Sequence, residues 1–378
     1  MPWRERSAMS LRREFVALAS QEGANMRELC RRFGISPTTG YTWVERAATE
    51  GDAGLADRSR RPVRSPGRTA SAVETRIVAL RDEHPTWGGR KLRRRLEDLG
   101  WADVPSASTI TAVLRRHGRL DPAAAAAHTA WRRFEHPAPN DLWQMDFKGH
   151  FALGMGRCHP LTILDDHSRF SLAVAACGDE RGETVRAHLT AVFQHYGLPT
   201  RLLTDNGAPW GSLAGEGFTA LTVWLLRLGI AVSHGRPFHP QTQGKEERFH
   251  RTLKAEAIAG RTYTGLAAAQ AEFDRFRARY NLERPHQALD LATPATRYTP
   301  SPRPFPATLP PLEYGPDDLV RIVQDQGIIS VQGRPYRVGK AFRGYPIALR
   351  PTQDAAIWDL FFGYHPIGRL DLRVPADH

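Results

Sequence analysis

Along residues 7–50 apolar positions recur every three or four residues. Leu11, Phe15 and Leu18 form one stripe, and Met26, Leu29 and Phe33 a second, which predicts two short amphipathic helices. Gly34-Ile35-Ser36 then reads as a tight turn, with Ser36 placed to cap a third helix and Pro37 at its first position. This is helix-turn-helix spacing. The third helix, PTTGYTWVERAA, would be the recognition helix, with Thr38, Thr39, Thr42 and Arg46 facing outward; the plainer alternative is a three-helix packing module. Residues 71–119 repeat the theme. Val73, Ile77 and Leu80 share a stripe, and Pro85 separates it from GGRKLRRRLEDLG. In SASTITAVLRRHG, Ser108 is placed to cap a helix that runs to His117 and stops at Gly118.

From residue 140 the period changes. LWQMDFKG alternates, so Trp143, Met145 and Phe147 face one way and Gln144, Asp146 and Lys148 the other. LTIL (161–164) and FSLAVAAC (170–177) read as strands joined by the polar turn DDHSR, where Asp165-Asp166 suit a turn better than a metal. Val185, Leu189, Val192 and Tyr196 mark a helix, RLLTD (201–205) a fourth strand, Phe218, Leu221, Leu225 and Leu228 another helix, and GIAVS a fifth strand. QTQGKEERFHRTLKAEA opens a long helix over 243–258. Three consecutive strands followed by strand–helix alternation indicate a mixed sheet covered by helices. In the tail, Gly or Pro every few residues separates short apolar runs, which predicts a small all-β barrel.

Punctuation gives the division: helices over 1–50, a basic linker at 51–70, a second helical module over 71–120 and a linker at 121–139. The α/β core follows at 140–297, then a proline-dense extended linker at 298–311 and the β tail at 312–378. The chain is thus multidomain, all-α, then α/β, then all-β.

Charge sharpens this picture. The 378 residues carry a net charge of +12, and residues 1–140 alone hold 25 Lys and Arg against 16 Asp and Glu. A basic excess concentrated in helical modules favours a polyanionic partner, double-stranded DNA, with no membrane. Arg60 and Arg61 in the linker, Arg90 and Lys91, and Arg115 and Arg116 are the further candidate contacts. Three cysteines without a C-x-x-C pair argue against a disulfide framework and a cysteine zinc site and fit a reducing cytoplasm. No apolar run is long enough for a membrane span. The N-terminal MPWRERSAMSLRR lacks a signal-type apolar run, and Met9 is a candidate second start. No G-x-x-x-x-G-K-[ST] loop occurs, which speaks against a nucleotide cofactor, and His234 and His239 lack zinc spacing.

The acids carry the chemistry. Asp146 stands mid-strand, where aspartate is disfavoured. Asp205 ends a strand, and Asn206-Gly207 turn the chain there and leave its carboxylate at the sheet edge. Glu247 lies in the first turns of the 243–258 helix, whose positive end favours an acid. Taken singly, each has a plain reading as turn former or cap. If the three converge, each close pair costs ~4 kcal/mol at ~4 Å and an effective dielectric of 20. Two Mg2+ ions, for which Mn2+ can substitute, would offset that repulsion and suit phosphodiester displacement.

The segments WQMDF (143–147), TDNG (204–207) and HPQTQGKEERFHRTLK (239–254) resemble the catalytic core of retroviral integrases and of integrase-like bacterial insertion-sequence transposases. YNLERPHQAL (280–289) with Pro294 strengthens the bacterial match, of which the IS481 family is the nearest group. The resemblance implies a ribonuclease H-like core with Asp146, Asp205 and Glu247 as its Asp-Asp-Glu metal triad, 58 and 41 residues separating them. Glu246 competes for the third place. The family's acid is the third residue after the glycine of Q-T-Q-G, which is Glu247. It further implies that His250, Arg251 and Lys254 on that helix, with Asn206, touch DNA; their plainer reading is a basic helix face. The tail would be an SH3-like barrel, and the retroviral His-His-Cys-Cys zinc module is lacking. The activity implied is that of a DNA transposase: it binds terminal inverted repeats, cuts, joins the end to target DNA, and works as a dimer or higher oligomer on the nucleoid. The alternatives are a DNA-binding regulator with an inactive core, and a nuclease without strand transfer.

Overall fold

A computed structural model of the protein describes residues 7–58, 68–120, 135–211, 217–234 and 244–374, so Arg60, Arg61 and residues 239–243 lie outside the described residues. The chain divides into two units, Met1–Arg68 and Thr69–His378.

The first unit holds α1 (Ala8–Ala19), α2 (Met26–Phe33) and α3 (Pro37–Glu50). Ser7, Asn25 and Ser36 each accept a backbone hydrogen bond as N-caps, contacts that stabilise a helix by about 1 kcal/mol each. Gly34 ends α2 in the left-handed region at φ 66°. Phe15 meets Phe33 edge-on at 5.4 Å beside buried Cys30. A Cβ on Gly40 would stand 2.6 Å from Cys30 Sγ and 2.8 Å from Phe15, so glycine is what allows α3 to cross this close.

In the second unit α4 (Ser71–Glu83), α5 (Gly89–Asp98) and α6 (Ala107–Arg116) enclose Ile77, Leu80, Trp87, Leu92, Leu96, Ile110, Val113 and Leu114. The cap of α6 is Ser106, not Ser108. Ser106 Oγ accepts from the Thr109 amide at 3.2 Å, while Ser108 already lies in the first turn. This module is pinned to the core by Arg95 to Glu283 at 2.7 Å and Thr86 to Glu256 at 2.5 Å.

The core sheet contains β1 (Leu142–Phe147), β2 (Phe151–Ala152), β3 (Arg157–Asp165), β4 (Ser171–Cys177), β5 (Arg201–Thr204) and β6 (Ala231–His234). β3 pairs antiparallel with β1, β2 and β4, whereas β1, β5 and β6 run parallel. It is the mixed sheet expected of a ribonuclease H-like core. Trp143 and Met145 pack one face against α7 (Gly182–Tyr196) and α8 (Ala220–Arg227). The other face, with Leu164 and Val174, is covered by Phe249 and Leu253 of α9 (Gly244–Leu253) and Phe273, Phe276 and Tyr280 of α10 (Leu266–Leu282). A π-helical turn, Lys254–Ile258, follows α9 within the long helix expected there.

The proline-rich stretch is not a free spacer. Tyr298 stacks on Phe170 at 4.3 Å. Arg303 donates to the carbonyls of Pro199, Leu228 and Gly229 at 2.8–3.1 Å, and Phe305 and Leu309 join the main core. Beyond it, β7 (Leu319–Ile322), β10 (Pro346–Pro351), β11 (Ile357–Phe362) and β12 (His365–Asp371) form an antiparallel sheet in the order β12-β11-β10-β7. β8 (Ile328–Val331) and β9 (Arg334–Arg337) form a hairpin. Val223 and Leu226 of α8 enter the core of this β tail.

Candidate active site

The parallel register pairs Leu142 with Arg201, Trp143 with Leu202 and Gln144 with Leu203. Continued two residues along both strands, it sets Asp146 beside Asp205, on neighbouring strands about 4.8 Å apart. Both are half-buried. Burial, then the Asp205 charge and that of Glu180, pushes the Asp146 carboxyl up to about 7, against the pull of the Phe147 amide and Lys148. Asp205 is also raised, by burial first, while the Gly207 amide, 3.1 Å from Oδ1, pulls it down. Lys148 and His234 are the positive groups that offset part of this, acting on Asp146 and Asp205 respectively.

α9 presents Glu246, Phe249, His250 and Leu253 inward, at helical spacing. Glu246 therefore lies against the sheet: its Oε2 is 3.1 Å from Thr162 Oγ1 and 3.5 Å from His250 Nε2. Thr162, paired with Asp146 across the ladder, donates to the Asp146 carbonyl at 3.1 Å and lies 2.8 Å from His250 Nε2. His250 Nδ1 is 3.9 Å from Asp146 Oδ2. Burial, followed by the Asp146 charge, drives the Glu246 carboxyl well above the usual range, and burial lowers His250 to about 4. His250 is thus a packing residue behind Asp146 and not, as expected, part of the outer basic face, because its stripe is the one that packs on β1 and β3. Glu247 is exposed one position round the helix, on the same side as exposed Arg251 and Lys254.

The structure accordingly brings Asp146 and Asp205 together and sets Glu246 behind Asp146. Among the described residues no three His, Cys, Asp or Glu side chains converge as a metal site. The aspartate pair has the donor chemistry of a Mg2+ site, hard oxygen ligands on neighbouring strands, and so fits part of one. Glu180, exposed after β4, was missed by sequence reasoning; its signal was an acid at a strand end, the same that marked Asp205.

The other candidates divide. Thr38, Thr39 and Thr42 are exposed on α3, as are Arg90, Arg115 and Asn206 elsewhere. Arg46 is turned inward: it stacks on Trp43 at 4.7 Å and donates to the Ala56 carbonyl at 2.9 Å. Arg116 reaches buried Glu74 at 2.5 Å, since Glu74 needs a cation inside the helical module. Lys91 is half-buried; burial and the Arg284 charge lower it to about 7. In the DDHSR turn Asp165 accepts from Ser168 Oγ, the Ser168 amide and the Asn140 amide at 2.5–2.8 Å. That is a turn former's environment.

Family models match the chain segment by segment. An integrase core domain family matches residues 136–240, and a second family of that description matches 228–294. Helix-turn-helix and homeodomain-like families match 11–62 and 39–114, and the C-terminal domain of IS481 family transposases matches 318–377. The 39.2 kDa protein of insertion element IS476 from Xanthomonas euvesicatoria is 27% identical over 64% of this chain and 69% of its own length. The 31.7 kDa protein of IS407 from Burkholderia multivorans is 27% identical over 42% of this chain and 55% of its own. The Gag-Pro-Pol polyprotein of mouse mammary tumor virus is 33% identical over 33% of this chain but only 7% of its own length. The HTLV-2 integrase catalytic core in complex with magnesium shares 18% identity over 43% of this chain and 99% of its own, at a TM-score of 0.33. No described helix is long and apolar enough to cross a membrane.

Proposed function

Since this chain belongs to the integrase-core transposases, with the C-terminal domain of the IS481 family, we propose that it binds the terminal inverted repeats of a mobile element, frees a 3′-OH at each end and joins it to target DNA. The observation that carries this reading is the placement of Asp146 and Asp205 side by side on adjacent parallel strands, each carboxyl raised chiefly by burial.

In this reading Asp146, Asp205 and Glu247 hold two Mg2+ ions, for which Mn2+ substitutes. Bound there, such ions would supply the Lewis acidity for activating the attacking oxygen and stabilising the leaving one in phosphodiester displacement. The chain's own residues prepare the site. Gly207 fixes one oxygen of Asp205 by its amide. Thr162 and His250 flank Asp146 on the face of the sheet that α9 covers. Glu247 is favoured over Glu246 as third acid because it shares the exposed helix face with Arg251 and Lys254, where a DNA backbone can reach all three. The exposed threonines of α3, with Arg90, Arg115 and Asn206, supply further DNA contacts. Joining two ends requires two active sites, hence at least a dimer.

The test is a Mg2+-dependent reaction of the full chain on duplex oligonucleotides that carry the element's ends. Wild-type protein should nick at the end and yield joined products, and Glu247→Gln should lose at least ~1,000-fold, equivalent to about 4 kcal/mol of transition-state stabilisation. Wild type no more active than Glu247→Gln would leave a DNA-binding regulator. Cleavage without joined products would leave a nuclease.

A further inference from the structure

Asp166 is 1% exposed, and both of its carboxylate oxygens are engaged by three different parts of the fold. Oδ1 accepts from Gln144 Nε2 at 2.6 Å and from Lys245 Nζ at 2.5 Å; Oδ2 accepts from the His136 amide at 2.9 Å. Its own amide donates to the Leu142 carbonyl at 3.0 Å. Gln144 stands two residues before Asp146 on the same face of β1, and Lys245 two residues before Glu247 in the first turn of α9. One buried carboxylate therefore touches the two elements that carry acids of the site.

The nearby charges show why Lys245 is its designated partner. Arg169 Nη1 is 4.0 Å from Asp166, but Arg169 and Arg297 reach Glu135 at 3.2 and 2.9 Å. The ammonium of Lys245, a point charge on a flexible stem, lies closer to Asp166 than either. With its oxygens taken by protein donors, Asp166 is no metal ligand.

We propose that Asp166 is a positioning residue: its carboxylate ties the entry of α9, through Lys245, to the strand of Asp146, through Gln144, and so sets where Glu247 stands relative to the aspartate pair. The proposal rests on the reading of Glu247 as the third acid, yet the tie itself can be measured without activity. A shift of the helix entry by a fraction of a turn would move Glu247 by ångströms while the hydrophobic stripe of Phe249 and Leu253 still holds the helix on the sheet.

The experiment uses the full chain, without DNA or metal, as wild type, Asp166→Asn, Lys245→Met and Lys245→Arg. Hydrogen exchange is followed for a peptide spanning 244–253, with peptides from β3 and α10 as internal references. Asp166→Asn and Lys245→Met should speed exchange in 244–253 by at least ~10-fold, as expected when a helix end opens locally, and leave the references unchanged; Lys245→Arg should restore the wild-type pattern. In single-turnover cleavage the two disruptive variants should lose about 10- to 100-fold in rate, the usual effect of removing a ligand-orienting partner, at unchanged affinity for end DNA. Wild-type exchange in both variants overturns the proposal, and so does loss of protection that spreads equally to α10, which marks a merely structural role. An inactive wild type would sink the transposase reading and leave the exchange result to decide the tie.

Discussion

Asp165 and Asp166 close the β3–β4 turn near the start of β1, whereas Asp146 and Asp205 stand about three residues further along the same sheet. In sequence the two pairs look alike, acids beside apolar strand residues. In the fold they differ in what they are given. The turn pair receives three donors on Asp165 and three on Asp166. The edge pair receives one backbone amide each, Phe147 on Asp146 and Gly207 on Asp205, with the Asp205 charge also bearing on Asp146. A carboxylate whose lone pairs are filled by the fold is architecture; one beside a like charge has the chemistry that a cation would complete. The chain pays for the second arrangement in repulsion.

The comparison breaks most visibly at the edge pair. Asp146→Asn or Asp205→Asn should abolish end cleavage, by ~1,000-fold or more, yet leave the melting temperature of metal-free protein unchanged or slightly raised, because a repulsion is removed. A clear loss of stability would place these two with the turn pair. Asp165→Ala should do the reverse: orphaning the buried Asn140 and Ser168 amides costs about 3 kcal/mol in urea unfolding, with catalysis per folded molecule little changed. Between the extremes lies Glu246→Gln. Because Glu246 sits behind Asp146, we expect a fall in cleavage of about 10-fold, or ~1.4 kcal/mol; a loss as deep as that of Glu247→Gln would transfer the third ligand position to Glu246. The smallest effect concerns a buried base. Burial, then Arg284 and Lys91, holds His286 well below its ordinary 6.5, so the folded chain resists a proton that the unfolded chain accepts. Stability is then full above pH 6.5 and falls below it by up to about 1.4 kcal/mol per pH unit, a slope that His286→Gln should flatten in urea titrations at stepped pH.

Much of this was legible from residue order alone. Alternation in β1 told Trp143 and Met145 from Gln144 and Asp146, and Ser36-Pro37 marked the start of α3, because those signals act within one strand or one helical turn. What escaped depended on partners far away. Whether Ser106 or Ser108 caps α6 turned on a two-residue choice of register. His250 was assigned to the DNA face because spacing on a helix cannot say which stripe meets the sheet; Thr162, 88 residues earlier, decides it. Arg46 and Arg116 looked like free cations until Trp43, the Ala56 carbonyl and Glu74 were found to occupy them. The family motif outranked local propensity for Glu247, yet it could not tell that its neighbour would be the buried one.

The strap formed by residues 298–311 has a practical corollary for anyone dissecting the protein. A catalytic fragment ended at residue 297, where punctuation suggests a boundary, would lose the guanidinium of Arg303 and leave the carbonyls of Pro199, Leu228 and Gly229 without that donor, next to apolar surface vacated by Phe305 and Leu309. Such a fragment should express poorly and aggregate. Cloning boundaries, and any graft of a foreign tail, belong after residue 311.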